Sequence, residues 1–94
     1  MRKLTLDADV ADVAPSDAIL TPYDFEHLIT YFRLLRAEAE GADWCEAARI
    51  VLHIDPQREP GRARQAHESH LTRARWMTAH GYRYLLRGDV PNLS

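Results

Sequence analysis

The chain has 94 residues, room for one small domain and short tails but not for two domains. A hydrophobic content of 46%, with four glycines and five prolines, fits a packed globular core and excludes pervasive disorder. The net charge of −2 argues against a dedicated nucleic-acid-binding domain, which is usually basic because affinity comes mainly from neutralising phosphates.

That charge is unevenly spread. Residues 1–57 carry eleven Asp/Glu against five Lys/Arg, whereas residues 58–87 carry seven Arg against two Glu. Between Lys3 and Arg33 there are six acids and no base. The single cysteine, Cys45, cannot form an internal disulfide, which fits a reducing cytosol and predicts a cytoplasmic location. The opening MRKLTL has no apolar run behind it, so no secretory signal is expected. No segment approaches the ~20 apolar residues of a membrane span.

In chain order, residues 1–20 read as an N-terminal arm, with some of Leu4, Leu6, Val10, Val13, Ile19 and Leu20 packing on a single domain that spans 21–94. A frayed tail is the alternative. A first helix over about 22–40 starts at the N-cap Thr21 with Pro22 in its first turn and stops at Gly41. Phe25, Leu28, Ile29, Phe32, Leu35 and Ala39 supply its expected core stripe, with Tyr23, His27, Tyr31 and Leu34 off it. A second helix, about 44–52, is capped by Asp43 and buries Trp44, Ala47, Ala48, Val51 and Leu52. A polar turn from His53 to Pro60 leads to a third helix reaching about Ala79, with Gly81 as its stop. Ala63, Ala66, His67, His70, Leu71, Ala74 and Met77 fall on its inner side. Arg62, Arg64, Gln65, Glu68, Ser69, Thr72, Arg73, Arg75 and Trp76 fall on its outer side. YRYLLRG, residues 82–88, predicts a last short helix. The expected fold is all-α: a small domain of 4 to 5 helices built on a variant helix-turn-helix, whose turn of about eight residues exceeds the usual three or four.

No catalytic constellation is present, and no cofactor is implied. HESH is not HExxH, and no further ligand stands at useful spacing, so His67 and His70 read as packed neutral histidines. Cys45 reads as a small semi-buried residue. Glycine-rich phosphate loops, nucleophile elbows and isolated acid pairs are missing. The arginine face carries the open question. Arg62, Arg64 and Gln65 stand at the start of the third helix, where helix-turn-helix proteins contact base edges, and Arg73 is placed to meet phosphate. Against this stands a solvated basic face paired with the acidic first half. A third reading docks another protein through the aromatic side around Tyr31, Leu34, Trp76, Tyr82 and Tyr84, because tryptophan beside arginine is a frequent interface composition.

From Asp43 to Arg87, DWCEAARIVLHIDPQREPGRARQAHESHLTRARWMTAHGYRYLLR resembles the extended-turn helix-turn-helix domain family of conjugative-element regulators. LTPYDFEHLITYFRLLRAEAEGADW is similar to that family's first helix and connection, so the resemblance spans about residues 4–87. It implies one of two roles in the transfer of integrative and conjugative elements. In activators of the FseA type the domain follows a companion domain and uses a basic side for DNA. In antiactivators of the QseM type it stands alone with a more negative surface, binds the activator's companion domain and also acts on TraR-type quorum-sensing regulators. The short chain and acidic first half are similar to the second class. Arg62, Arg64 and Gln65 match the family's recognition-helix start and keep a DNA-binding regulator as the alternative.

Overall fold

A computed structural model describes residues 9–81. Tyr82, Tyr84 and the expected helix over 82–88 lie outside the described residues, as do Leu4 and Leu6. The described residues form α1 (Pro22–Glu26), α2 (Leu28–Ala39), α3 (Trp44–Val51) and α4 (Pro60–Trp76), continued by a π-helical turn at Met77–Gly81. No strand occurs among them. The chain is all-α, as the sequence predicts.

The expected single helix over 22–40 is divided at His27, whose φ of −115° and ψ of 22° are not helical. The start is nonetheless as read. Thr21 accepts from the Asp24 N–H, and the Asp24 carboxylate accepts in return from the Thr21 N–H, which completes a capping box. Gly41 closes α2 with φ +75°, a left-handed conformation suited to glycine.

The core stripe of this first segment is a correction except at Leu35, which packs against the core. Asp24, His27, Thr30, Tyr31 and Leu34 face inward, whereas Phe25, Leu28 and Ile29 are half-exposed and Phe32 is 64% exposed. Apolar spacing picked the wrong side because the inner side is partly polar. Its polar groups bond to one another and to α4, and that satisfaction lets them be buried. Tyr31 and Leu34, expected at a partner surface, are core residues at 2% and 1% exposure.

α2, α3 and α4 pack around Leu34, Ala47, Ala48, Val51, Leu52, Ile54, Ala63, Ala66 and Leu71. The alanines on the facing sides of α3 and α4 admit a close approach of the two helices. The turn between them spans residues 52–59. His53 adopts φ 61°, the Ile54 N–H donates back to Ala48 O at 3.1 Å, and Ile54 is thereby driven into the core. Asp55 organises the rest: its carboxylate accepts from the Gln57 N–H, and its carbonyl accepts from the Arg58 and Glu59 N–H groups. The extended turn is therefore an anchored element.

Residues 9–20 lie on the domain and are held at several points. The Ala11 N–H donates to the Tyr23 hydroxyl and the Ala14 N–H donates to Ser69 Oγ, each at 3.0 Å. The His27 ring sits between the carbonyls of Tyr23 and Asp9, 2.8 Å from each, and stacks on Tyr23 at 3.9 Å between centroids. Ala14 and Leu20 are buried and Val10 packs against the core, while Val13 and Ile19 stay more than half exposed.

Candidate interaction surface

α4 carries Arg62, Arg64, Arg73 and Arg75, and each has a carboxylate partner. Arg73 lies deepest, 3% exposed beside Asp24 at 0%. Its Nε donates to Asp24 Oδ1 at 2.9 Å and its Nη2 to Asp24 Oδ2 at 2.6 Å, a bidentate pair. The same guanidinium donates to the carbonyls of Asp17 and Ile19 in the arm. Asp24 also accepts from the Thr21 N–H and hydroxyl and from the Tyr31 hydroxyl at 2.8 Å. Burial alone would raise the Asp24 carboxyl, but the bonds from Arg73, Thr21 and Tyr31 outweigh it and hold it below its usual range. Burial and then the bond to Asp24 push the Tyr31 phenol up. Arg73 sits 4.0 Å from the Trp76 ring centroid, so the half-buried indole is backed by a pinned cation.

The placement of Arg73 corrects its expected role as a DNA-contacting residue. A side chain committed to a buried carboxylate and two carbonyls does not reach phosphate. Helical spacing alone put it outside; the arm passing over α4 puts it inside.

The other three arginines pair on the surface. Arg62 Nε meets Asp12 of the arm at 2.6 Å and its Nη1 meets Glu59 at 3.1 Å. Arg64 meets Glu68 at 3.1 Å and lies 5.6 Å from the Trp44 ring centroid. Arg75 pairs with Glu38 of α2. Gln65 is exposed. Arg62, Arg64 and Gln65 are all exposed, but Arg62 and Arg64, two residues apart, point to different sides of the helix; Arg73 is buried, and Trp76 lies at the far end of the same helix.

An open trough of about 740 Å³ runs between the arm and the outer side of α4. Val13, Ala14, Pro15 and Ser16 line one wall, and α4 lines the other from Gly61 to Trp76.

The two histidines do not form a metal site. His70 is fully buried; its Nδ1–H donates to Ala66 O at 2.7 Å, leaving Nε2 to accept from the Tyr23 hydroxyl at 2.6 Å. Burial pushes its pKa down, which favours this neutral ring. His67 instead lies beside Trp44, with centroids 6.1 Å apart. No group of three or more potential metal ligands occurs among the described residues. Desolvation and then Asp43 push the Cys45 thiol up, opposite to what a reactive thiolate needs.

The sequence reading missed the inward cluster of Asp24, Tyr31, His70 and Arg73. A signal was present: Asp24, His27, Tyr31 and Leu34 recur at helical spacing beside the apolar stripe, forming a second, mixed face.

No protein-family model matches the chain, and no curated protein matches its sequence. No helix among the described residues is long and apolar enough to cross a membrane.

Proposed function

We propose that the chain is a protein-binding regulator: a cytoplasmic antiactivator that captures the companion domain of an FseA-type transcriptional activator, acts also on TraR-type regulators, and so blocks transfer of an integrative and conjugative element. The resemblance supplies the partners. The mechanism is competition, since a copy of the activator's own domain occupies the companion domain's docking surface. No cofactor or chemical step is required.

The observation that carries this reading is the pairing of every α4 arginine with a carboxylate, three of them with acids from the arm, α1 or α2. Charge that would neutralise phosphate is spent inside the molecule. Geometry points the same way. The major groove is about 12 Å wide and a helix with its side chains about 10–12 Å across. The arm beside α4, with Asp12 on Arg62, widens the body that would have to enter and brings acid to phosphate.

The test is capture of the activator's isolated companion domain by the full chain in a pull-down, followed by titration calorimetry. A stable complex is expected; no capture would remove the antiactivator reading. The alternative, a DNA-binding regulator, draws support from the exposure of Arg62, Arg64 and Gln65, because surface ion pairs are weak enough to exchange for phosphate.

A further inference from the structure

We infer that the start of the arm, Asp9 to Asp12, is a proton-operated strap: it is fastened to the α1–α2 junction while His27 carries a proton on both ring nitrogens, and it comes loose when one of those protons leaves. The inference goes beyond the protein-binding reading and does not need its partner.

The His27 ring is caught between two acceptors. The residue is 4% exposed, and its Nδ1 and Nε2 lie 2.8 Å from the carbonyl oxygens of Tyr23 and Asp9. A carbonyl oxygen has no proton to give, so each nitrogen has to donate. A neutral imidazole has one N–H and would turn its other lone pair on a carbonyl oxygen at contact distance. Turning the ring over does not help, because it would put C–H carbons where about 3.3 Å or more is needed. The imidazolium, with an N–H on each nitrogen, satisfies both carbonyls. It stacks on Tyr23 with 3.9 Å between centroids, where the aromatic face attracts a cation.

One of the two acceptors belongs to α1 and the other to the arm, so the second proton and the arm are bound together. The neighbouring groups keep that charge on His27. Tyr23 covers the ring, and its hydroxyl accepts from the Ala11 N–H while donating to His70 Nε2. His70 of α4 is pushed down first by burial and then by the charge on His27, so it stays neutral and acts as the acceptor. Asp24 and Tyr31 meet His27 through the backbone, Asp24 O accepting its N–H and the Tyr31 N–H donating to its carbonyl. On the arm side the titratable residue is Asp9, which brings its carbonyl to the ring. Docking of the strap therefore takes up a proton. It is full while His27 is charged and is lost as rising pH removes that charge. Well below the ordinary 6.5 of His70, protonation of that ring removes the acceptor for Tyr23 and loosens the strap from the acid side.

The rest of the arm has its own fastenings, at Ser69 for Ala14 and at Arg73 for the carbonyls of Asp17 and Ile19. Opening is thus confined to residues 9–12 and leaves the core in place. It draws Asp12 away from Arg62, which then keeps Glu59.

The test is a pH titration of the intact, isotope-labelled chain by NMR, reading the ring nitrogens of His27 and His70 and the methyl signals of Ala11 and Ala14. The expected result is two protonated nitrogens on His27 and one on His70 while the strap is docked. As pH rises, Ala11 should shift to its free position over the interval in which His27 loses a proton, while Ala14 stays where it was. In His27→Gln, which has no proton to lose there, the alkaline shift of Ala11 should disappear. A His27 ring with one protonated nitrogen while Ala11 is docked would overturn the inference. So would an Ala11 signal that ignores the His27 titration, or one that follows the same course in the variant. The parent spectra decide the matter by themselves if the variant does not fold. The activator's companion domain plays no part, so this result and the capture test fail separately.

Discussion

Arg62 and Arg73 stand three turns apart on one helix, and each meets an aspartate from the acidic first half of the chain. Their environments differ completely. Arg62 and Asp12 touch in solvent, whereas Arg73 and Asp24 meet with almost no exposed surface. In solvent, water and salt compete with the pair and either partner can exchange. Inside, each charge has lost its hydration and depends on the other. The same residue type on the same helix is thus surface chemistry at one end and architecture at the other, and burial decides which. The arm makes the difference, since it crosses α4 at Arg73 and adds two carbonyls to the pair.

The largest effect should come from breaking the buried member. Arg73→Ala leaves the Asp24 carboxylate buried without its cation, a loss of about 3–5 kcal/mol that takes a domain of this size close to unfolding. Thermal melts followed by circular dichroism will show it. A variant that melts near the parent would mean that water reaches Asp24 in solution. Tyr31→Phe sharpens the same comparison by removing one donor to Asp24 while keeping the ring. It should cost about 1–2 kcal/mol in urea denaturation, and a neutral result would show that this bond does not stabilise the fold.

Acid separates the two regions by protonation. The folded pKa of Asp24 lies below its ordinary value of 3.8, so its contribution is fully present above that value and is lost as pH falls below it. His70 and His67 titrate below their ordinary 6.5 when folded, both because of burial. The stability that comes from keeping them neutral is full above about pH 6.5 and is lost on acidification. Urea midpoints should therefore be flat above pH 7, decline below 6.5 and fall further below 4. Asp24→Asn should lack the last step; a final fall that persists in this variant would assign it to other carboxylates. The smallest effect belongs to the surface pair. Asp12→Asn should leave the unfolding midpoint unchanged within error at ordinary salt, and a clear loss would show that Asp12 anchors the arm.

Capping, patterning and turn chemistry made much of the fold legible. Thr21 and Asp43 cap the helices expected of them, Gly41 stops α2, and the alanine-rich faces of α3 and α4 meet as their spacing predicts. The length of the turn was legible from its prolines, but its anchoring by Ile54 and Asp55 was not. The failures share one cause. Orienting α2 and α4 by their apolar residues alone puts Phe32 inside and Tyr31, Leu34 and Arg73 outside, the reverse of the structure. Periodicity ranks faces by hydrophobicity and does not register that Asp24, Tyr31, His70 and Arg73 satisfy one another across 49 residues of sequence. The candidate surface was legible only at Arg62, Arg64, Gln65 and Trp76, because the arm's path over α4 leaves no periodic mark.

The central claim is that carboxylates of the chain itself have taken up the arginines of α4, three of the four with acids from the first half. Fluorescence anisotropy of a labelled promoter duplex from a conjugative element, titrated with the intact chain across a salt series, tests it most directly. The account predicts no saturable binding in the micromolar range even at low salt. Submicromolar binding that weakens steeply as salt rises would contradict it and return α4 to reading DNA.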